Sequence, residues 1–547
     1  MAFQFKPYTP AAKYKAPAAY FSMEFALDQS LKIYSGGLGF LAGSHMRSAY
    51  ELKQNLIGIG MLWTYGYYDQ DRDAEQLMTP AFRHKYYSFL EDTGIVFPVV
   101  IHDAEVFVKA YYLAPDTFGT APMFFLSTDI EQNDYLSRTI THKLYDPDTA
   151  ARVAQSMVLG IGGGKLLDEL GRQTDIYHLN EGHGVPLTFY LYEKHGRDLA
   201  EVQKRLVFTT HTPELAGNEE HPMKLLSDMS FFSGVPEDEV RRVARIEGDS
   251  LNYTLTALRF ARKANGVSKV HGEVANEMWG HYAGICPIIA ITNSQNGKYW
   301  RDPQLAAALK DKNDAALDAR KQELKKELFK VVANQTGHLF DPAALTIVWA
   351  RRFAGYKRAD LILRDFERFK KLVTNNERPV QVIWAGKPYP KDQGAIDTFN
   401  GIIKMTRDFT RCAVLTGYEL ELSAELKKGS DLWLNTPRYP REASGTSGMT
   451  AAMNASVSVS IADGWIPEFA KDGENCFIIG HADVELPTDQ KDDMESENLH
   501  NVLDQVVALY YDQPKQFLKI RKAAMKDVEP EFESARMAKE YYEKLYR

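Results

Sequence analysis

From residue 345 onward, short β-rich apolar runs alternate with amphipathic stretches of helical length, and few folds accept that pattern. The runs at 346–350, 380–384, 412–415, 431–434 and 456–461 are separated by helical patterns over 359–373, 392–404, 422–428 and 446–454. Strands spaced by helices of this length imply βαβ units and a parallel sheet. Gly386, Gly417, Gly445 and Gly464 fall near the carboxyl ends of those strands. Ligands of open α/β sheets bind at those ends.

The first half is less regular. Runs at 175–180 and 205–211 and the glycine cluster at 160–164 suggest a second α/β domain with insertions. At 547 residues the chain is too long for one ordinary core. The pattern gives an α/β fold of two facing domains with a cleft between them. Residues 1–300 form the first domain, 301–340 a helical connection, 341–499 the second domain and 500–547 terminal helices. A net charge of −8 argues against a nucleic-acid partner. No segment approaches 18 uninterrupted apolar residues and the N-terminus lacks an apolar signal region, so the expectation is a cytoplasmic protein with no membrane partner. Three scattered cysteines fit a reducing compartment and offer no metal pattern.

Several local constellations carry chemistry. Tyr34-Ser-Gly-Gly-Leu-Gly39 is a glycine-rich turn before a helix, able to present backbone N–H groups to an anion. Taken alone, the run is read first as a tight structural turn. Ala350-Arg-Arg-Phe-Ala-Gly-Tyr-Lys-Arg358 places four cations at a strand's carboxyl end, ahead of a helical pattern. Arginine's planar fork and lysine's point charge suit a phosphate or diphosphate there. In Glu442-Ala-Ser-Gly-Thr-Ser-Gly-Met449, Glu442 can accept from sugar hydroxyls and the following N–H groups can meet a phosphate. The alternative is a capped helix start with Ser444 or Thr446 as N-cap. His178-Leu-Asn-Glu-Gly-His183 lacks the spacing of a helical zinc site, and no metal is expected.

Taken together these segments resemble the glycogen/α-glucan phosphorylases, in their short bacterial branch. The likeness also covers Tyr20-Phe-Ser-Met-Glu24, Phe208-Thr-Thr-His-Thr212, Val270-His-Gly-Glu273, Ala385-Gly-Lys387, Leu434-Asn-Thr-Pro437 and Asp463-Gly-Trp465, all in order along the chain. The resemblance implies a GT-B fold, two Rossmann-like domains around a deep cleft, and a homodimer. It implies retaining transfer of a glucosyl unit between an α-glucan end and phosphate. Carried over to this sequence, Arg352 and Lys357 hold the reacting phosphate, and Gly36 and Gly37 give backbone donors. Glu442, Ser444 and Gly445 bind glucose hydroxyls, the backbone carbonyl of His211 lies near the anomeric carbon, and Thr446 and Ser447 face the cofactor's phosphate.

One departure alters the expected chemistry. The family's cofactor, pyridoxal phosphate, is held as an imine by a lysine after the Gly-Met pair, where this chain has Thr450. Smaller departures are Ser294, Tyr389 and Ala455. The sugar and phosphate residues are kept while the cofactor anchor is lost, so no covalent cofactor is expected. That pattern leaves three functions open. The favoured one is a PLP-independent glucosyltransferase taking a sugar nucleotide, with an α-glucan or other glucosyl acceptor. The second is a phosphorylase that uses phosphate without covalent pyridoxal. The third is a non-catalytic glucan-binding protein.

Overall fold

The computed structural model describes residues 3–5 and 7–547, with only the backbone at Ala216. The chain forms two compact units: unit 1 holds 1–68, 82–292 and 537–547, and unit 2 holds 69–81 and 293–536.

Unit 2 is built on a six-stranded, wholly parallel sheet. Its spatial order is Cys412–Leu415, Val380–Ala385, Leu345–Ala350, Leu432–Asn435, Val457–Ile461 and Cys476–Ile479. Ranked by sequence this reads 3-2-1-4-5-6, the doubly wound order of a Rossmann fold. Every residue of Leu345–Ala350 and Val380–Ala385 is buried, as strands covered by helices on both faces must be. The helix Asp314–Thr336 covers one face. Asn313 caps its start through the Ala316 N–H, and Gly337 closes its end at φ 75°. Its buried residues Leu328 and Val332 meet Ile383, Leu415 and Trp433 in one core.

Unit 1 carries a nine-stranded sheet. Seven parallel strands run Ile288–Ala290, Lys263–Gly266, Leu206–Thr209, Ile176–Asn180, Ala18–Phe21, Leu56–Met61 and Met123–Ser127. Two antiparallel strands, Ala104–Leu113 and Glu91–Ile101, extend its edge. The doubly wound α/β class expected from the sequence is therefore present in both units.

The domain boundaries differ from expectation in three places. The 301–340 stretch is two helices, Pro303–Lys310 and Asp314–Thr336, and both belong to unit 2. Its apolar stripe packs onto that unit's sheet, which a free connection would not do. The last long helical region begins at Thr488, and Met537–Arg547 returns to unit 1. Residues 69–81 leave unit 1 to join unit 2, where Gln70 donates to the Gly386 carbonyl at 2.8 Å. No described helix is long and apolar enough to cross a membrane.

Candidate functional site

In unit 2 the neighbouring strands Leu345–Ala350 and Leu432–Asn435 lead to opposite sides of the sheet, which makes their carboxyl ends the topological switch point. The loops beyond them hold the cationic run and Glu442. Arg351 Nη2 donates to Glu442 Oε2 at 2.7 Å, and Lys357 Nζ lies 3.2 Å from both carboxylate oxygens. Arg351 also donates to Asn435 Oδ1 at the end of the neighbouring strand. Burial alone would raise the Glu442 carboxyl. Arg351 and Lys357 outweigh that and hold it below the usual carboxylate range.

Asp463 supports the cluster from the next strand. Its carboxylate accepts the Glu442 N–H at 2.9 Å and the Gly464 N–H at 2.8 Å. Burial, against those two donors, pushes Asp463 up to about 7. Gly464 has φ 60°, and a Cβ there would stand 2.4 Å from the Ser444 carbonyl oxygen. That oxygen accepts from the Trp465 N–H at 2.9 Å, pinning the Glu442 loop.

The helix Thr446–Ala452 starts from Gly445, at φ 85° and ψ 45°, and no side chain caps it. Ser444 or Thr446 as N-cap is therefore not what the chain does: a left-handed glycine turns the loop instead. Ser444 Oγ is buried with no hydrogen-bond partner, and so is Arg351 Nε. Ser447 Oγ accepts from the Trp433 indole at 3.3 Å. Thr450 is fully buried and its hydroxyl donates to the Ser447 carbonyl at 3.0 Å.

Unit 1 repeats the arrangement at its own switch point, between Ala18–Phe21 and Ile176–Asn180. Glu24 comes after the first strand and accepts the Ser35 N–H at 2.6 Å, the Gly36 N–H at 3.1 Å and the Tyr145 hydroxyl at 2.8 Å. The expected anion cradle at Gly36 is corrected by this: its N–H already serves a carboxylate of the same chain. Gly37 opens the helix Gly37–Glu51. Glu181 comes after the second strand in a left-handed conformation, φ 71°. Its carboxylate accepts the His211 N–H at 2.7 Å and the Thr212 hydroxyl at 3.1 Å.

His211 Nε2 is 2.7 Å from Asn180 Oδ1, an acceptor, so that nitrogen carries the proton. Burial, then the neighbouring His271 and His183, lower His211 to about 3, which keeps the ring neutral. Among the described residues no group of three or more His, Cys, Asp or Glu side chains is placed to hold a metal.

The structure thus brings Lys357, Glu442, Ser444 and Gly445 together and holds His211 beside Asn180 and Glu181. Arg352 is exposed, while Arg351 is the buried partner of Glu442. Both arginines lie beyond the strand's end at Ala350, so the sequence placed Arg351 in the cationic run but did not show that it, rather than Arg352, pairs with Glu442. Glu24, Glu181 and Asp463 each lie in a motif noted in the sequence, but only folding shows which N–H groups their carboxylates take.

Fold and site define a pair of doubly wound units, each with its polar cluster at the switch point, as in the GT-B class. The carbohydrate phosphorylase family model matches residues 252–544. An uncharacterised protein of Methanocaldococcus jannaschii is 48% identical over 97% of this chain and all of its own length. A maltodextrin phosphorylase of Thermococcus litoralis is 34% identical over 98% of this chain and 71% of its own length. A glycogen phosphorylase of Aquifex aeolicus is 31% identical over 97% of this chain and 86% of its own length. The chain belongs to the carbohydrate phosphorylase family and is an enzyme of the glycosyltransferase type.

Proposed function

We propose that the protein moves a glucosyl unit, with retention of configuration, from a sugar-nucleotide donor to an α-glucan or another glucosyl acceptor, with no covalently held pyridoxal. One observation carries this reading. Arg351 Nε and Ser444 Oγ are buried polar atoms without partners, one on a cation holding Glu442 and the other on the loop after it. Buried polar groups are rarely left unpaired. A guanidinium N–H suits a phosphoryl oxygen and a hydroxyl suits a sugar hydroxyl.

Arg351 and Lys357 hold the Glu442 carboxylate, and Arg352 stands exposed next to Arg351 in the same loop. A cationic loop of this kind suits a phosphate or diphosphate. In this reading Arg352 and Lys357 bind the donor's phosphates, with Thr446 and Ser447 beside them. Glu442, Ser444 and Gly445 orient the glucose. A carboxylate has about four acceptor sites, so Glu442 keeps capacity for a sugar hydroxyl while it holds its two cations. In unit 1, Glu181 holds the backbone of His211 by accepting its N–H.

The family's pyridoxal phosphate needs a primary amine at its anchor. Thr450 offers a hydroxyl that is buried and bonded within its own helix. The residues present do not fit a covalently held pyridoxal, and no step of the proposed transfer runs through it. Lys427 is a fully buried lysine of the same unit, its Nζ 3.7 Å from the Trp300 ring centroid. Its amine is held well below the usual range by burial. We expect no absorbance band of an imine on the purified protein. A borohydride-reducible pyridoxal adduct at Lys427 or any other lysine would sink the claim.

The relatives named maltodextrin and glycogen phosphorylase favour a second reading, phosphorolysis of a glucan by inorganic phosphate. Phosphorus NMR without added pyridoxal phosphate separates the readings. Release of nucleoside diphosphate from a glucose nucleotide, with a maltooligosaccharide acceptor, is the expected result. Glucose 1-phosphate formed from phosphate and maltooligosaccharide, with every glucose nucleotide inert, overturns the donor assignment. Glucan binding without either product identifies a non-catalytic binder.

A further inference from the structure

The loops that carry Lys357 and Glu442 also build a second cationic site within unit 2. A cavity of about 70 Å³ is lined by Arg358, Arg438, Tyr439, Arg441, Lys491 and Glu495. Four cationic side chains line it, and the carboxylates of Asp492 and Glu495 pair with two of them.

Two of the arginines are locked in place. Arg358 donates to the Thr436 carbonyl at 3.0 Å, the Pro437 carbonyl at 2.8 Å, Asp492 at 2.8 Å and Glu495. Arg438 Nη2 reaches the other oxygen of Asp492 at 2.5 Å. Asp492 and Glu495 thus fix the cavity's frame. Lys491 Nζ donates to the Val484 carbonyl at 2.9 Å, a neutral acceptor that offsets no charge. The Tyr439 ring stacks on His481 at 4.4 Å and 10° and stiffens the rim.

The centre of one water needs about 10–15 Å³, so the cavity holds several waters and admits a tetrahedral oxyanion. Arginine forks and a lysine point charge recognise phosphate oxygens. We propose that this cavity binds one phosphate group, either free orthophosphate or the phosphate of a monoester whose remainder stays outside.

The site is separate from the donor-phosphate residues Arg352 and Lys357, and it is placed to influence them. Arg441 directly precedes Glu442, and the Arg438 N–H donates to the Tyr356 carbonyl at 2.8 Å, next to Lys357. An anion in the cavity bridges the Arg441 loop to the helix Thr488–Asp512, which carries Lys491.

Calorimetric titration of the full chain with inorganic phosphate, at fixed ionic strength, tests this in the Arg352→Ala background. That background weakens donor-site binding and leaves the cavity intact. One bound phosphate is expected, with affinity falling at least tenfold when Arg441→Gln and Lys491→Ala are added, and largely kept by Lys491→Arg. No phosphate bound in the Arg352→Ala protein, or affinity unchanged by the added pair, overturns the proposal. Phenyl phosphate binding more tightly than phosphate identifies a monoester ligand; equal or weaker binding identifies orthophosphate.

Discussion

Arg351 and Arg352 are adjacent in sequence and opposite in fate: one is buried against Glu442 and Asn435, the other exposed. Arg351→Ala leaves a buried carboxylate short of a partner, and losing one member of a buried pair costs about 3–5 kcal/mol. A lower urea midpoint is the expected result. Arg352→Ala should change stability by no more than about 0.5 kcal/mol, as exposed substitutions do, yet abolish transfer. Full activity in that variant would show that the phosphate assignment is wrong.

Asp463 adds a pH dependence whose sign is fixed. An unfolded aspartate titrates near 3.9, while burial raises this one to about 7. Between those values the folded state holds a proton that the unfolded chain has lost, so this residue's contribution to stability falls as pH rises through that window. Glu442, held below its ordinary value, acts in the opposite sense and loses its contribution only in acid. Asp463→Asn should therefore gain stability relative to wild type at pH 8 compared with pH 5, read as urea midpoints. Ionised Asp463 also adds negative charge beside Glu442, so donor affinity should weaken above about pH 7 and the variant should lose that limb.

At the scale of elements, short loops after two parallel strands do the positioning. Gly445 sits at φ 85°, which costs a non-glycine residue roughly 1–2 kcal/mol. Gly445→Ala is expected to lower the melting temperature by a few degrees and to weaken donor binding out of proportion, because Ser444 and Thr446 flank the turn. Comparing thermal melts with donor titrations checks this. Most elements of unit 2 are legible in the sequence: the expected strand at 412–415 is the observed Cys412–Leu415, and that at 456–461 is Val457–Ile461. The strand Cys476–Ile479 was not legible, being four residues long between polar loops. The helix expected over 359–373 is present as a 3-10 turn, Leu361–Leu363, followed by the helix Phe366–Thr374, while the cationic run itself holds a 3-10 turn, Gly355–Lys357, with Arg358 left-handed at φ 45°. The charges signalled a phosphate site there, but the loop's shape comes from Arg358 bonding to Thr436, Pro437 and Asp492 far along the chain.

For the whole molecule, the chain's last residues are part of its first unit. Tyr546 lies 2.8 Å from His178 Nδ1, and His178 Nε2 lies 2.7 Å from Thr209 Oγ1, which itself donates to Asn265 Oδ1. That chain of donors runs from the Tyr546 hydroxyl into the parallel sheet. Met537, Tyr541, Tyr542, Leu545 and Tyr546 are all buried. At about 1.5–3 kcal/mol for each large buried side chain, their burial is on the order of 10 kcal/mol, comparable with a domain's whole stability of about 5–15 kcal/mol. A chain ending at Arg536 should be insoluble or molten, judged by sedimentation and near-UV circular dichroism; a soluble, cooperatively melting truncation would refute this role. By itself the sequence determined the α/β class, the strand run of unit 2, the cation and carboxylate motifs and the threonine at position 450, because these are carried by local periodicity and residue chemistry. Only the tertiary structure decided that Arg351 faces Glu442, that Glu24 occupies the Gly36 turn, that Asp463 is pushed toward neutrality and that the C-terminus closes unit 1. Each of those depends on contacts between residues distant in sequence, and burial and pairing energies have no local signature.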